Sequence, residues 1–258
     1  MNIVPLGIWA VSTSGETTSF LLENGNISFL IDTGLNPAFH LAQLGKPLTQ
    51  ITDVFLSHCH SDHIAGFANF VFSRQVAERS EGAAPELRVW GLDSVLDVGR
   101  QMLALQYPDR SFSVSWRACN PGTEEQEDGF ILRFLETAHS VPGLALRITS
   151  KDTGKSLCYT SDTSPMGSLA MFCAGADVLL GECFGSAEAF GAVIAAQQHM
   201  SATDLAALAR ESGVRKVVLF HMHAPYATEE GRLQLLGELA VGYGGEIVFP
   251  TPLISIEV

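Results

Sequence analysis

From Ser57 to Gly66 the chain reads SHCHSDHIAG, and His58, His60, Asp62 and His63 fall within six residues. The whole chain has only eight histidines. Imidazole and carboxylate crowded in this way suit zinc or a similar divalent ion. His58 and His60 are two residues apart, so on an extended segment both face one side and can share one ion. Cys59 then points the other way and is not expected to be a ligand. Asp62 and His63 turn toward a second site.

The second half carries more groups of the same kind. His139 lies in ETAHSVPG, Asp162 in LCYTSDTSP, Glu182 in VLLGECFG, and His221 and His223 in VVLFHMHAP. Taken singly, each reads as a capping or hydrogen-bonded loop residue. Together they are harder to dismiss, because five of the eight histidines (His58, His60, His63, His139 and His221) follow apolar runs that read as strands.

The elements that must hold these groups are legible in outline. ITDVFLS before His58 reads as a buried strand, and the apolar spacing from His63 to Glu78 as an amphipathic helix. The cluster therefore sits at a strand's carboxyl end, where open α/β sheets bind ligands. Further strands are expected at residues 2–10, 18–23, 27–32 and 87–91, with a helix at 92–105. The second half repeats that order. Its strands are expected at 130–137, 144–149, 156–160, 176–182, 216–220 and 246–249, and its helices at 202–212 and 228–241. Antiparallel strands followed by β-α-β units, twice over, predict one αββα-sandwich domain over 1–258, with halves of about 1–128 and 129–258. Glu124–Asp128 (EEQED), the main charge run, is expected to be a solvated loop. Met102, Leu103, Leu105 and Tyr107 are expected in the core or at a pocket edge.

Composition narrows the classes. Hydrophobic residues make up 47% and charged residues 17% of 258, as in a globular protein. The formal charge is −13 with no basic run, so there is no strong nucleic-acid signal. No window reads as a membrane span, and the amino-terminal residues read as a strand rather than a signal peptide. Five cysteines without C-x-x-C spacing fit reduced thiols in the cytoplasm. A homodimer is the expected assembly.

The assembled pattern resembles the metallo-β-lactamase superfamily, whose H-x-H-x-D-H motif matches HCHSDH. The likeness runs from FLIDTG (Phe29–Gly34) to LFHMH, nearly the whole chain. It implies a four-layer αββα fold of two mixed sheets flanked by helices. It also implies two divalent ions, with zinc expected and manganese, iron or cobalt compatible. His58, His60 and His139 would hold one ion and Asp62, His63 and His221 the other, with Asp162 between them. Asp32 would support the metal loop.

Within the superfamily the second half looks most like the ribonuclease Z group, through YTSDTSP, ADVLLGECF, QHMSATDLAALA and KVVLFHMH. That likeness implies that Glu182 and His199 cooperate near a leaving group. Two departures argue against transfer-RNA processing. The stretch from His139 to Asp162 is too short for the group's protruding arm, and HMHAPY replaces the usual Ser-Arg-Tyr. The expectation is a phosphodiesterase for a small substrate such as a cyclic nucleotide. Ions about 3.5–4 Å apart would share a bridging hydroxide. Asp62 would orient it, His199 would protonate the leaving alkoxide, and His223 would contact phosphate. Residues 185–198 would wall the pocket, or form a plain loop or short helix.

The rivals are a lactonase, thioesterase or sulfatase on the same two ions, a ribonuclease Z-like RNA processor, a catalytically idle binding protein, and an iron-pair oxidoreductase. The idle protein should lack ligands, and none is missing. The oxidoreductase should show acid ligands in place of a motif histidine, and a flavin domain.

Overall fold

The computed structural model describes residues 1–11, 13–127 and 129–258. Asp128, the last residue of the acidic run, lies outside them. The chain opens as an antiparallel meander, β1 (Asn2–Gly7), β2 (Ser19–Asn24) and β3 (Ile27–Ile31). Helix α1 (Pro37–Gln43) follows, then β4 (Ile51–Phe55), α2 (Ser61–Ile64) and α3 (Phe67–Glu81). Next come β5 (Leu87–Gly91), α4 (Asp93–Gln106) and β6 (Val114–Ala118). β4, β5 and β6 extend the sheet in parallel with β3.

The second half has the same plan. Antiparallel β7 (Glu124–Glu127), β8 (Phe130–Glu136), β9 (Leu144–Ser150) and β10 (Ser156–Tyr159) come first. They are followed by α5 (Gly167–Cys173), β11 (Val178–Glu182), α6 (Ala187–Ala196), α7 (Ala202–Ser212), β12 (Lys216–Phe220), α8 (Glu229–Gly242) and β13 (Glu246–Val248). β11, β12 and β13 run parallel with β10. The last strand, β14 (Ile256–Glu257), crosses back to pair with β1. The result is the expected αββα sandwich, with seven strands in each mixed sheet among the described residues.

Period-two alternation builds the layers. Ile3, Phe20, Phe29, Ile31 and Phe55 belong to the core shared with the second sheet. There Phe20 meets Phe220 edge to face at 5.8 Å, Phe29 meets Phe130 at 6.3 Å, and Phe55 stacks on Phe134 at 6.1 Å. Their neighbours Val4, Leu6, Leu21, Leu30 and Val54 face outward and pack with Phe67, Phe70 and Leu96 of the covering helices. Each such large side chain contributes about 1.5–3 kcal/mol by burial.

Several expectations are corrected. Glu124–Glu127 is an edge strand of the second sheet rather than a loop. Arg88 and Arg133 offset its charge by pairing with Glu127 and Glu124, each at 2.7 Å. The change of sheet therefore falls before Glu124, and β14 belongs to the first sheet. The helix expected from His63 is two helices, because the Gly66 N–H donates to the Thr33 carbonyl (2.8 Å) and halts the first turn. Leu105 is 84% exposed and lies outside the core. Residues 187–196 form a helix.

Candidate active site

Because β8 and β10 are both antiparallel to β9, they point the same way, as do β11 and β12. Their carboxyl ends form one rim, which delivers His139, Asp162, Glu182 and His221. From the first sheet, the ends of β3 and β4 deliver Asp32 and the segment Ser57–His63. Asp32, Ser161, Gln198 and His221 all have left-handed backbone, with φ of 56°, 55°, 60° and 59°. Side chains disfavour that region, and its concentration at one rim marks backbone bent to aim groups inward.

The structure gathers the expected residues into two overlapping sets. His58, His60, His139 and Asp162 bring one ligand atom each to within 4.8 Å of one another, as do Asp62, His63, Asp162 and His221. Asp162 belongs to both. The side chains of His58, His63, His139, Asp162 and His221 are buried and form the floor, whereas His60 and Asp62 are half-buried at the mouth.

Three of these imidazoles are held through Nδ1 and turn Nε2 inward. His63 Nδ1 bonds Asp32 Oδ2 at 2.8 Å, His58 Nδ1 bonds Ser57 Oγ at 3.0 Å, and His139 Nδ1 donates to the Gln198 carbonyl at 3.1 Å. The opposite nitrogen, Nε2, of His58 and His63 faces Asp162 across 3.7 Å and 3.3 Å, and His221 Nε2 lies 3.0 Å from the same carboxylate. Neither Nε2 atom nor either oxygen of buried Asp162 makes a hydrogen bond of good geometry. Buried polar atoms without partners are costly. Divalent cations placed among these lone pairs would satisfy them, so the donor set fits the expected ions.

The charge balance agrees. Burial, reinforced by His63, holds His58 well below the ordinary imidazole range, and burial with His139 lowers His60, so both are neutral donors. Burial opposes charge on His63, but Asp162 and Asp32 outweigh it and raise its pKa to about 10. Burial likewise opposes charge on His221, yet Asp162 and Asp62 carry its pKa well above the usual value. Burial is overcome at Asp62 too, where His221 and His63 pull the pKa down to about 2. Without cations, Asp62 and Asp162 keep protons on His63 and His221. A divalent ion supplies that positive charge in the proton's place.

Glu182 and His199 meet as expected: the Nδ1–H of His199 donates to Glu182 Oε1, a very short contact. Glu182 Oε2 accepts from the Thr163 N–H at 2.8 Å, which fixes the carboxylate. With Asp162 and His221 these two also form a possible ligand set, but His199 Nδ1 is already committed to Glu182. His199 lies 5.0 Å, ring to ring, from both His139 and His221. Ser201 caps α7 and forms a capping box with Asp204, which fixes the chain just after His199. His223 stands apart. The Phe184 ring lies between it and His199, parallel to both, at 5.3 Å and 4.5 Å.

Cys59 belongs to none of these ligand sets. Asp32 does more than expected. Its Oδ1 accepts from the Ser57 N–H (2.7 Å), and its Oδ2 accepts from Ser57 Oγ (2.7 Å) and from the Tyr159 hydroxyl (2.6 Å). Sequence reasoning missed Tyr159, Phe184 and the Gln198 carbonyl. An aromatic residue in or just after an apolar strand reads as core, and a backbone acceptor leaves no mark in residue type.

Fold and site together define a metallo-β-lactamase-fold hydrolase of the ribonuclease Z-like kind. Residues 1–238 match the family described as Anti-Pycsar protein Apyc1, and the chain belongs to that family. It is 29% identical over 227 residues to the probable metallo-hydrolase YhfI of Bacillus subtilis, covering 86% of this chain and 87% of that protein. It is 23% identical over 266 residues to ribonuclease Z of Methanothermobacter thermautotrophicus, covering 85% of each. The crystal structure of YhfI from Bacillus subtilis shares the fold at TM-score 0.81, with 24% identity over 99% of this chain and 98% of that one. Human tRNase Z, short form, shares it at TM-score 0.82, with 16% identity over 100% and 99%.

Proposed function

We propose that this protein is a dinuclear metal-dependent phosphodiesterase for a small phosphodiester such as a cyclic nucleotide. The observation that carries the reading is the placement of the Glu182–His199 pair beside two ligand sets that share Asp162. His58, His60, His139 and Asp162 would hold one ion, and Asp62, His63, His221 and Asp162 the other. When bound, a pair of divalent ions supplies an activated water and offsets charge on the phosphoryl oxygens; zinc is the expected metal.

The chain's own groups do the rest. Asp62, fully ionised near neutral pH, is placed to orient the attacking water or take its proton. Glu182 holds His199 through Nδ1, so Nε2 is the ring position left to give a proton to the departing alkoxide. An ester of phosphorus with an alcohol leaving group needs that proton, which favours this reading over a thioesterase. Phe184 keeps His223 away from His199, so His223 serves the outer part of the substrate rather than the reacting phosphoryl group.

Relatives named ribonuclease Z support phosphodiester chemistry. The chain between His139 and Asp162 is taken up by β9, a short turn and β10, which leaves no protruding arm there for a transfer RNA. Five free cysteines accord with a reducing cytoplasm. The assembly is a homodimer in this reading, and exposed Leu105 offers apolar surface for it. Among the described residues no helix is long and apolar enough to cross a membrane.

The test is turnover by metal-reconstituted protein on cyclic mononucleotides, cyclic dinucleotides, short RNA, a p-nitrophenyl sulfate and a lactone. Cyclic nucleotides should be hydrolysed fastest. Turnover confined to the sulfate or the lactone overturns the reading.

A further inference from the structure

A cavity of about 120 Å³ lies under α6, on the far side of Phe184 from His199. Phe184, Phe190, Val193, Ile194, His223 and Tyr226 form its walls, and Gln197 stands at its edge. We infer that this cavity is a base subsite, which takes the planar heteroaromatic ring of a nucleotide substrate whose phosphodiester lies at the metal centre. The inference rests on the phosphodiesterase reading above and adds to it the part of the substrate that is recognised.

Three observations converge on a flat ring. The first is the stack: Phe184 is nearly parallel to His199 (8°) and to His223 (12°), so parallel ring planes lead from the proton donor to the cavity. In a cyclic nucleotide the leaving oxygen and the base belong to one nucleoside. A base beyond Phe184 therefore keeps its own leaving oxygen on the His199 side.

The second is the chemistry of the walls. The Tyr226 hydroxyl oxygen accepts from the Ser186 N–H (2.8 Å), which fixes the ring at the cavity wall. His223 and Gln197 bring polar groups to an otherwise apolar space. Flat apolar faces with a few hydrogen-bonding groups match a nucleobase.

The third is α6 itself. Its inner residue Ile194 is 1% exposed, yet Phe190 and Val193 remain 42% and 52% exposed on the same helix. Apolar side chains held open beside a reaction centre fit a ligand-binding wall. The helix also runs directly into the centre: Gln198 receives the His139 N–H, and His199 is the next residue. Filling the cavity thus acts on the same turn that positions the acid.

The experiment compares kcat/KM for cyclic AMP with that for the same cyclic ribose phosphate lacking a base. Methyl p-nitrophenyl phosphate serves as a control for phosphodiester chemistry. In the native protein the base should raise kcat/KM about tenfold to a hundredfold, the usual range for base stacking. Val193→Trp, which fills the cavity from a half-exposed position, should cut that ratio at least tenfold. Phe190→Ala, which removes a wall without adding bulk, should lower it in the same direction. A native ratio near one, or a ratio unmoved by both variants, overturns the base subsite and leaves the phosphodiesterase reading standing. No turnover of methyl p-nitrophenyl phosphate or of either cyclic phosphate overturns both.

Discussion

The hydroxyl of Tyr159, on the second sheet, donates to Asp32 Oδ2, at the end of the first, at 2.6 Å. Asp32 in turn holds His63 Nδ1 at 2.8 Å and the Ser57 hydroxyl at 2.7 Å. Burial, with Asp32 and Asp162 nearby, holds the phenol well above its usual pKa, so it stays a donor. One hydroxyl therefore ties the sheets together beneath the candidate metal centre and fixes which face His63 shows to it. Tyr159→Phe removes the bond and keeps the ring. Stability to urea should fall by about 1–3 kcal/mol, as for a buried acceptor losing a donor. Affinity for metal should fall about tenfold to a hundredfold, as for loss of a group that orients a ligand. Chelator competition and urea melts check both, and unchanged metal affinity would remove Tyr159 from this role.

His199→Ala should slow esters with poor, alkoxide leaving groups at least a hundredfold, the lower range for loss of an acid catalyst. It should slow bis(p-nitrophenyl) phosphate far less, since that leaving group needs no proton. Glu182→Gln should show the same split in weaker form. Equal losses on both substrates would undo the general-acid assignment.

Removing metal should make stability depend on pH in a defined direction. The folded-state pKa of His63 is raised from 6.5 to about 10, and that of His221 is raised as well. The contribution of His63 is complete below pH 6.5 and lost as pH rises through about 10, and that of His221 is lost in the same direction, on the alkaline side of its ordinary range. His58 and His60, whose pKa values are lowered, act oppositely and only on the acid side. The metal-free protein should thus melt at lower temperature at pH 9.5 than at pH 7. The metal-loaded protein should lose that slope, because the ions replace the protons. Melts in chelator and in excess metal check this, and parallel slopes would contradict it.

Gly66→Ala should destabilise without touching a ligand. A Cβ there would sit 2.2 Å from the Gly34 carbonyl oxygen and 3.0 Å from that of Thr33, both backbone atoms. The cost should be about 1–3 kcal/mol, as for overpacking. Metal content should fall with it, because Thr33 holds this turn through the carbonyl of His63 (2.7 Å). A melt unchanged from the native protein would show that the turn can yield.

The sandwich and its ligand rim were legible because they rest on residue type. Short apolar runs mark β2 and β3, alternating burial marks β8, and rare histidines mark the ends of β4 and β12. What stayed hidden depends on contacts between distant segments. The acidic run became β7 because Arg88 and Arg133 offset its charge, and the helix from His63 broke because Thr33 captures the Gly66 N–H. His223 drew attention as a polar residue beside His221. Only the Phe184 ring, stacked on both His199 and His223, shows that it stands apart from the Glu182–His199 pair.

The account turns on Asp162 lying between two cation sites. Equilibrium dialysis of the metal-stripped protein against zinc or manganese, followed by metal analysis, measures this directly. Two ions should be retained per native chain, and Asp162→Ala should weaken both together. Retention of no more than one ion by the native chain, or full retention of a pair by Asp162→Ala, would contradict the account.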